Sequence, residues 1–245
     1  MRLNRLYTPR PLQPGATVSL TGQAAGHATR VLRLRAGDSL TLFNGDGWDY
    51  PGTIAGTSGP RVEVALLDRV AAAPESPLAI TLVQGVSRSE RMDFVMQKGT
   101  ELGVTRFVPV LTERSVVRLD VRQAARRAVH WQSVVAGACE QCGRARLPQV
   151  EAPRTLDDWL ACRAQAGLRR LLLAPDAAAP LAGLPPAGDA IELLVGPEGG
   201  LGDAERAAAI AAGYEPRSLG PRILRTETAA LAAIVALQAA LGDLR

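Results

Sequence analysis

A chain of 245 residues that is 47% hydrophobic and 21% charged has the composition of a globular protein with one large domain or two smaller ones. No apolar run approaches the ~20 residues that cross a bilayer, and Met1-Arg-Leu-Asn-Arg5 opens without an apolar secretion signal, so a cytoplasmic protein without membrane contact is expected. The net charge of +4 is uneven: residues 1–73 hold eight arginines against five acids, residues 86–146 eleven basic residues against six acidic, and residues 147–245 nine against twelve.

Along the first seventy residues, short strands alternate with turn residues. Strands are expected at Thr17–Leu20, Ser39–Phe43, Trp48–Ala55 and Val62–Leu67. Asn44-Gly-Asp-Gly47 is a strong hairpin signal, and Gly56–Pro60 closes a second hairpin. A small all-β domain over residues 1–73 fits this pattern. Ala71-Ala-Ala-Pro-Glu-Ser-Pro77 interrupts any regular element and reads as a linker, so a second domain is expected over residues 74–245.

From Leu78 apolar strands alternate with helices. Strands are expected at Leu78–Val83, Phe107–Leu111, Arg170–Ala174 and Ile191–Val195. Helices are expected at Met92–Leu102, closed by Gly103, at Val121–Cys142 between Asp120 and Gly143, at Leu156–Ala166 behind a Thr155 cap, at Ala204–Ala212 behind an Asp203 cap, and from Glu227 to Leu241, capped by Thr226 or Thr228. This alternation implies an α/β fold with a mostly parallel sheet covered on both faces, in which ligands bind at the carboxyl ends of the strands.

The three cysteines, Cys139, Cys142 and Cys162, make neither a disulfide framework nor a zinc site. Cys139 and Cys142 end a predicted helix, where the dipole disfavours thiolates, so inert thiols and no metal are expected. His27 and His130 are expected in structural roles. Lys98 is the only lysine, and arginine grips phosphate bidentately or stacks on bases. Aromatic content is only 4%, which argues against a multi-base stacking platform.

Two stretches carry chemistry. Gly196-Pro-Glu-Gly-Gly200 lies at the end of an apolar strand; it is neither a P-loop nor GxGxxG, its glycines permit close backbone approach to a ligand, and Glu198 suits a cationic or neutral ligand. Leu219-Gly-Pro-Arg-Ile-Leu-Arg-Thr-Glu-Thr-Ala229 packs two arginines, Arg222 and Arg225, against a helix start.

These stretches, together with QKGTELGVTRFVPVLTERS, ACEQCGRARLP and HATRVLRLRAGD, resemble the RsmE family of small-subunit ribosomal RNA (uracil-N3) methyltransferases within the SPOUT superfamily. The resemblance covers nearly the whole chain in order. It implies a PUA-like β-barrel followed by a homodimeric SPOUT domain with a C-terminal trefoil knot, which topology rules alone would not suggest. It implies S-adenosyl-L-methionine as cofactor, 16S rRNA within the small subunit as partner, and methylation of N3 of one uridine. It also implies three cofactor loops: Leu173 and Ala174 in the first; Gly196, Pro197, Glu198, Gly199 and Gly200 in the second; Leu219, Gly220, Ile223, Leu224, Arg225 and Thr226 in the third. At the end of the first strand, Arg88 and Arg91 stand where relatives more often carry a lysine-containing turn.

Uracil N3–H is about as acidic as a tyrosine phenol, ~10, so transfer needs a base or a cation that stabilises the developing anion. Glu198 and Glu227 are the candidate bases and Arg225 the candidate cation, although an ion pair between Glu227 and Arg225 would explain both structurally. Arg10, Arg33, Arg35, Arg88, Arg91, Arg114 and Arg144 are the candidate RNA contacts. Two rival readings are a catalytically silent RNA-binding protein, which has no need of the acidic glycine-rich loop, and an enzyme acting on a free nucleotide, which would want a basic residue within it.

Overall fold

The computed structural model describes residues 4–161, 168–185 and 188–244. The chain divides into two compact units: Met1–Glu75 with Ala136–Leu147, and Ser76–Val135 with Pro148–Arg245.

The first unit is built on β1 (Arg5–Tyr7), β2 (Thr17–Leu20), β3 (Ser39–Phe43), β4 (Trp48–Ser58), β5 (Arg61–Leu66) and β6 (Val70–Ala71). Their pairing follows β1-β3-β4-β5-β2, with β6 on β4; β1 and β3 are parallel and the other pairs antiparallel. Burial of Tyr50, Gly52 and Ile54 along β4 has the two-residue period of a half-buried strand. Leu6, Leu20, Leu42 and Val64 join them in one apolar core. The β3–β4 turn has the expected chemistry: Gly45 and Gly47 take φ of 96° and 94°, and Asn44 Oδ1 accepts from Asp46 N–H at 3.2 Å.

Sequence pattern misplaced the second hairpin. A bulge between Ile54 and Gly56 carries β4 onward to Ser58, so the turn is Gly59-Pro60. It also missed β1 and a helix α1 (Gly22–Gly26), which runs into a π-helical turn over His27–Val31. His27 Nδ1 lies 3.2 Å from Glu140, and Arg5, 4% exposed, is fixed by Asp49 at 2.6 Å and by the Cys139 carbonyl at 2.8 Å. Burial pushes the Cys139 thiol up to about 12, as expected of an inert cysteine.

The second unit holds β7 (Ala79–Gly85), α2 (Ser89–Glu101), β8 (Val104–Leu111), α3 (Val121–Cys142, of which the part from Ala136 belongs to the first unit), β9 (Gln149–Val150), β10 (Arg154–Thr155), α4 (Leu156–Leu160), β11 (Arg169–Leu173), β12 (Ala190–Val195), α5 (Asp203–Ala211), β13 (Glu215–Arg217) and α6 (Thr226–Leu241). The sheet runs β10-β8-β7-β12-β11-β13, with β9 on β8, and every pair is parallel. On one side Val83, Val110, Leu172 and Leu194 pack with Leu156, Trp159 and Ala209 from α4 and α5. On the other, α2 and α6 pack on each other and over β7, β8 and β12. Both faces are therefore apolar, and the strands read as continuous hydrophobic runs.

Asp120 Oδ1 accepts from Gln123 N–H at 2.7 Å and starts α3, and Thr155 accepts from Asp158 N–H at 3.1 Å and starts α4. Of the expected helix Leu156–Ala166, the part beyond Ala161 lies outside the described residues, as does Cys162. Two expected caps are corrected. Asp203 is the first residue of α5 rather than its cap; Gly202 is the cap, and its N–H donates to Glu205 at 2.9 Å. Thr226 is the first residue of α6 behind Arg225, and its hydroxyl is used elsewhere.

Candidate functional site

The paired strands β7, β11 and β12 end side by side: Val195 is in register with Gln84, and Leu172 with Leu194. Beyond these ends lies a cavity of about 700 Å³. Three segments form most of its wall: Leu172–Pro175 at the end of β11, Val195–Leu201 at the end of β12, and Leu219–Thr226 leading into α6, omitting Pro221. Every residue expected in a cofactor loop, from Leu173 and Ala174 through Gly196–Gly200 to Leu219, Gly220 and Ile223–Thr226, lines it. A volume of this size accommodates a nucleoside-sized ligand.

Backbone geometry explains the glycines. Gly200 has φ of 70°, and its N–H donates to Pro197 O at 2.9 Å, closing the turn. Gly85, at the end of β7, has no room for a side chain, because a Cβ there would lie 2.4 Å from Pro197 N. A Cβ on Gly199 would point at Arg114, 3.0 Å from its Cβ, so that glycine admits a neighbouring loop. Strand β7 thus ends against the back of the Gly196–Gly200 turn.

Glu198 is held from several directions. Arg88 N–H donates to its Oε1 at 3.2 Å, and Arg91 Nη1 lies 2.9 Å from the same oxygen. Burial opposes ionisation of Glu198, but bonds from its own N–H, Arg88 N–H, the Ser87 hydroxyl and the Arg91 charge outweigh it and hold the carboxyl below its usual value. Glu227 is also paired with Arg91, at 3.8 Å, and not with Arg225 as the ion-pair expectation had it. Glu198 Oε2 and Glu227 Oε2 are buried and without a hydrogen-bond partner. Arg91 is therefore shared between two carboxylates, which leaves the trio with a net negative charge and one oxygen of each carboxylate with an open lone pair.

Gln84 went unrecognised as a site residue. It is 1% exposed, and its Nε2 donates to Thr226 Oγ1 at 2.9 Å and to Gly85 O at 3.1 Å. Thr226 in turn donates to Gly196 O at 2.6 Å. The signal in the sequence was a lone amide closing an otherwise apolar strand. Arg206 and Arg217 also line the cavity, tied to Asp176 at 2.7 Å and to Glu215 at 2.5 Å respectively.

The remaining expected contacts are dispersed. Among the candidate RNA contacts, Arg10, Arg33, Arg35, Arg88 and Arg114 are exposed, and Arg33 takes φ of 58°. Arg114 Nη1 donates to Gly199 O at 3.4 Å. Arg91 stands in the cavity wall, and Arg144 is folded onto Glu75 at 2.6 Å. His130 binds Asp93 at 3.0 Å away from the cavity, and among the described residues no His/Cys/Asp/Glu cluster could hold a metal.

A family model described as RNA methyltransferase domain matches residues 74–238, and one described as RNA methyltransferase PUA domain matches residues 20–67. The ribosomal RNA small subunit methyltransferase E of Buchnera aphidicola (subsp. Schizaphis graminum) is 34% identical over 99% of this chain and 98% of its own length. The Bacillus subtilis protein of that name is 28% identical over 94% and 93%. Among solved structures, a ribosomal RNA small subunit methyltransferase E from Neisseria gonorrhoeae bound to S-adenosylmethionine superposes with a TM-score of 0.91 at 39% identity, over 99% of this chain and 100% of that one. A Legionella pneumophila structure with bound cofactor SAM gives 0.91 at 40% identity, covering both chains completely.

Proposed function

This chain belongs to the RNA methyltransferase family of the ribosomal RNA small subunit methyltransferase E proteins, and from that premise we propose that it methylates N3 of one uridine of 16S rRNA, with S-adenosyl-L-methionine as donor. The observation that carries the reading is the cavity itself, walled by three strand-end segments and bearing a carboxylate kept ionised by Arg88 and Arg91. The open lone pairs of Glu198 Oε2 and Glu227 Oε2 suit a ligand with cationic and N–H groups, and a glycine-rich wall offers backbone groups to an adenine edge.

When bound, S-adenosylmethionine supplies a methyl group made electrophilic by its sulfonium. The chain aligns the uracil and manages its N3 proton. Arg225 stands on the cavity wall, exposed, and among the described residues no ion pair involves it, so its guanidinium is free to stabilise charge developing on uracil O2 or O4. Glu198 and Glu227 are the acceptors for the proton. Glu198 is held below the usual carboxylate range, which keeps it ionised and makes it a weak base. The N3 proton is thus labilised chiefly by Arg225.

The finer parts of the reading belong together. Exposed Arg10, Arg33 and Arg35 of the PUA-like unit hold RNA phosphates. Helix α6 buries Ala230, Ala233, Ile234 and Leu237 within the chain and leaves Val235, Ala239 and Ala240 exposed, a small-residue face suited to a second copy of the chain. A trefoil knot around the cavity, a small-subunit substrate and a cytoplasmic site of action complete it. The test is methyl transfer from labelled cofactor to small subunits from a strain lacking this protein. 3-Methyluridine at one position is expected; label on another base, or none, overturns the reading.

A further inference from the structure

The second unit carries a run of arginines that the cavity does not use. Arg114, Arg118, Arg122 and Arg126 recur every four residues, with Arg127 beside the last, and over residues 114–130 Asp120 is the single acid. Arg114, Arg118, Arg122 and Arg126 are all exposed. Arg122 and Arg126 lie one turn apart on the same face of α3. Among the described residues none of these five guanidiniums forms an ion pair. Asp120, the acid within the run, accepts from Gln123 N–H as the start of α3. Asp93 is occupied by His130.

The row begins at the cavity. Arg114 donates to the carbonyl of Gly199, whose turn forms the cavity wall, and its Cβ packs against the same glycine. From there the chain leads through Arg118 to the positive end of α3, whose dipole adds to the charge of Arg122. Several arginines held together without compensating acids repel one another unless an anion covers them. Several other arginines of the chain are matched: Arg5 with Asp49, Arg144 with Glu75, Arg169 and Arg217 with Glu215, and Arg206 with Asp176.

We propose that Arg118, Arg122 and Arg126, continuing from Arg114, form a phosphate track on the second unit that holds the RNA strand flanking the target uridine. The proposal rests on the RNA methyltransferase reading and adds a second grip, separate from Arg10, Arg33 and Arg35. The track is blind to sequence and sets the reach of the strand into the cavity.

The test uses the full chain and a triple variant Arg118→Gln/Arg122→Gln/Arg126→Gln, which removes charge with a good helix former. Affinity for 16S rRNA and for a 20-nucleotide oligouridylate is measured across a salt series. Three lost phosphate contacts reduce the slope of log affinity against log salt by about 2 for a single strand. The Michaelis constant for RNA rises, while calorimetric affinity for S-adenosylmethionine stays at the wild-type value. Single variants Arg122→Gln and Arg126→Gln, each expected to lower the slope by about 0.7, keep the proposal testable if the triple variant misfolds. An unchanged slope in both RNAs overturns the track. So does an unchanged slope with altered mass by light scattering, which assigns the arginines to a contact between copies. Failure of the wild-type chain to bind S-adenosylmethionine instead overturns the methyltransferase reading and leaves the slopes to decide the track.

Discussion

Gln84 Nε2 donates to Thr226 Oγ1 at 2.9 Å, joining the end of β7 to the first residue of α6 across 142 positions of sequence. Because Thr226 passes the bond on to Gly196 O at 2.6 Å, one hydroxyl ties together the ends of β7, β12 and α6, the three elements that bound the cavity from behind. Thr226→Val keeps the shape and removes both bonds, leaving Gln84 Nε2 short of a partner in a buried place. A loss of about 1–3 kcal/mol in stability is expected, with weaker cofactor binding. Thr226→Ser restores most of both. Urea unfolding and calorimetry decide it; full cofactor affinity in Thr226→Val refutes the coupling between this bond and the cavity.

Arg91 faces Glu198 at 2.9 Å and Glu227 at 3.8 Å. Arg91→Met leaves two partly buried carboxylates side by side with no cation between them, so one takes up a proton. The expected result is a methyl-transfer rate that falls by ten-fold or more at neutral pH, with a pH–rate profile displaced upward. Arg91→Lys recovers part of the rate but not the bridging geometry, since lysine lacks the fork. An unaltered profile in Arg91→Met shows that the pair does not act on the chemistry.

The same carboxylate sets a pH dependence of stability. The folded chain holds Glu198 below its ordinary value of 4.5, so its contribution is full above about pH 4.5 and is lost as the pH falls from there through the lower folded value. Wild type is expected to melt above Glu198→Gln at neutral pH, and the two melting temperatures to draw together as the pH falls below 4.5. A constant gap from pH 7 to pH 3 contradicts the assigned ion pair and hydrogen bonds.

What the sequence made legible follows from which forces are local. The α3 boundaries, Val121–Cys142, are as expected, because Asp120 and Gly143 are caps whose chemistry acts within a few residues. The three wall segments of the cavity were legible through family resemblance and through glycine density at strand ends. Short elements were not. Strands β1 and β13 have three residues each, too few to show a period, and they exist because the neighbouring strands β3 and β11 offer them a ladder. The partnership of Arg91 with Glu198 and Glu227 was equally hidden, since it joins positions 91, 198 and 227 through three-dimensional packing. So was the role of Arg144, whose place among the basic residues of 86–146 suggests a phosphate contact and whose guanidinium instead holds Glu75.

For RNA binding, the exposed group Arg10, Arg33 and Arg35 offers a direct measurement. If each contacts one phosphate, their joint replacement by Gln lowers the slope of log affinity against log salt by about 2–3, with no change in cofactor affinity. Arg5, buried against Asp49 and Phe43, serves as the contrast. Its replacement unfolds the first unit, through the unpaired Asp49 left behind, before it alters RNA binding. An unchanged slope in the triple variant removes the first unit from RNA binding.

Arg225 separates chemistry from binding most cleanly. It lies on the cavity wall as the residue before α6, exposed and outside every ion pair among the described residues, so its replacement breaks no ion pair and Arg225→Ala should fold as wild type. If its guanidinium stabilises the uracil anion, the benefit appears only as N3 loses its proton, and kcat falls with little change in the Michaelis constant for RNA. A loss of roughly 10²–10³-fold is expected for one such donor. Raising the pH toward the ~10 of free uracil N3 supplies the anion without help from the arginine, so the deficit of Arg225→Ala should narrow as the pH rises from 7 to 9.5. A deficit that stays constant over that range, or a rise in the Michaelis constant with kcat unchanged, places Arg225 on the RNA backbone and removes it from the transfer step.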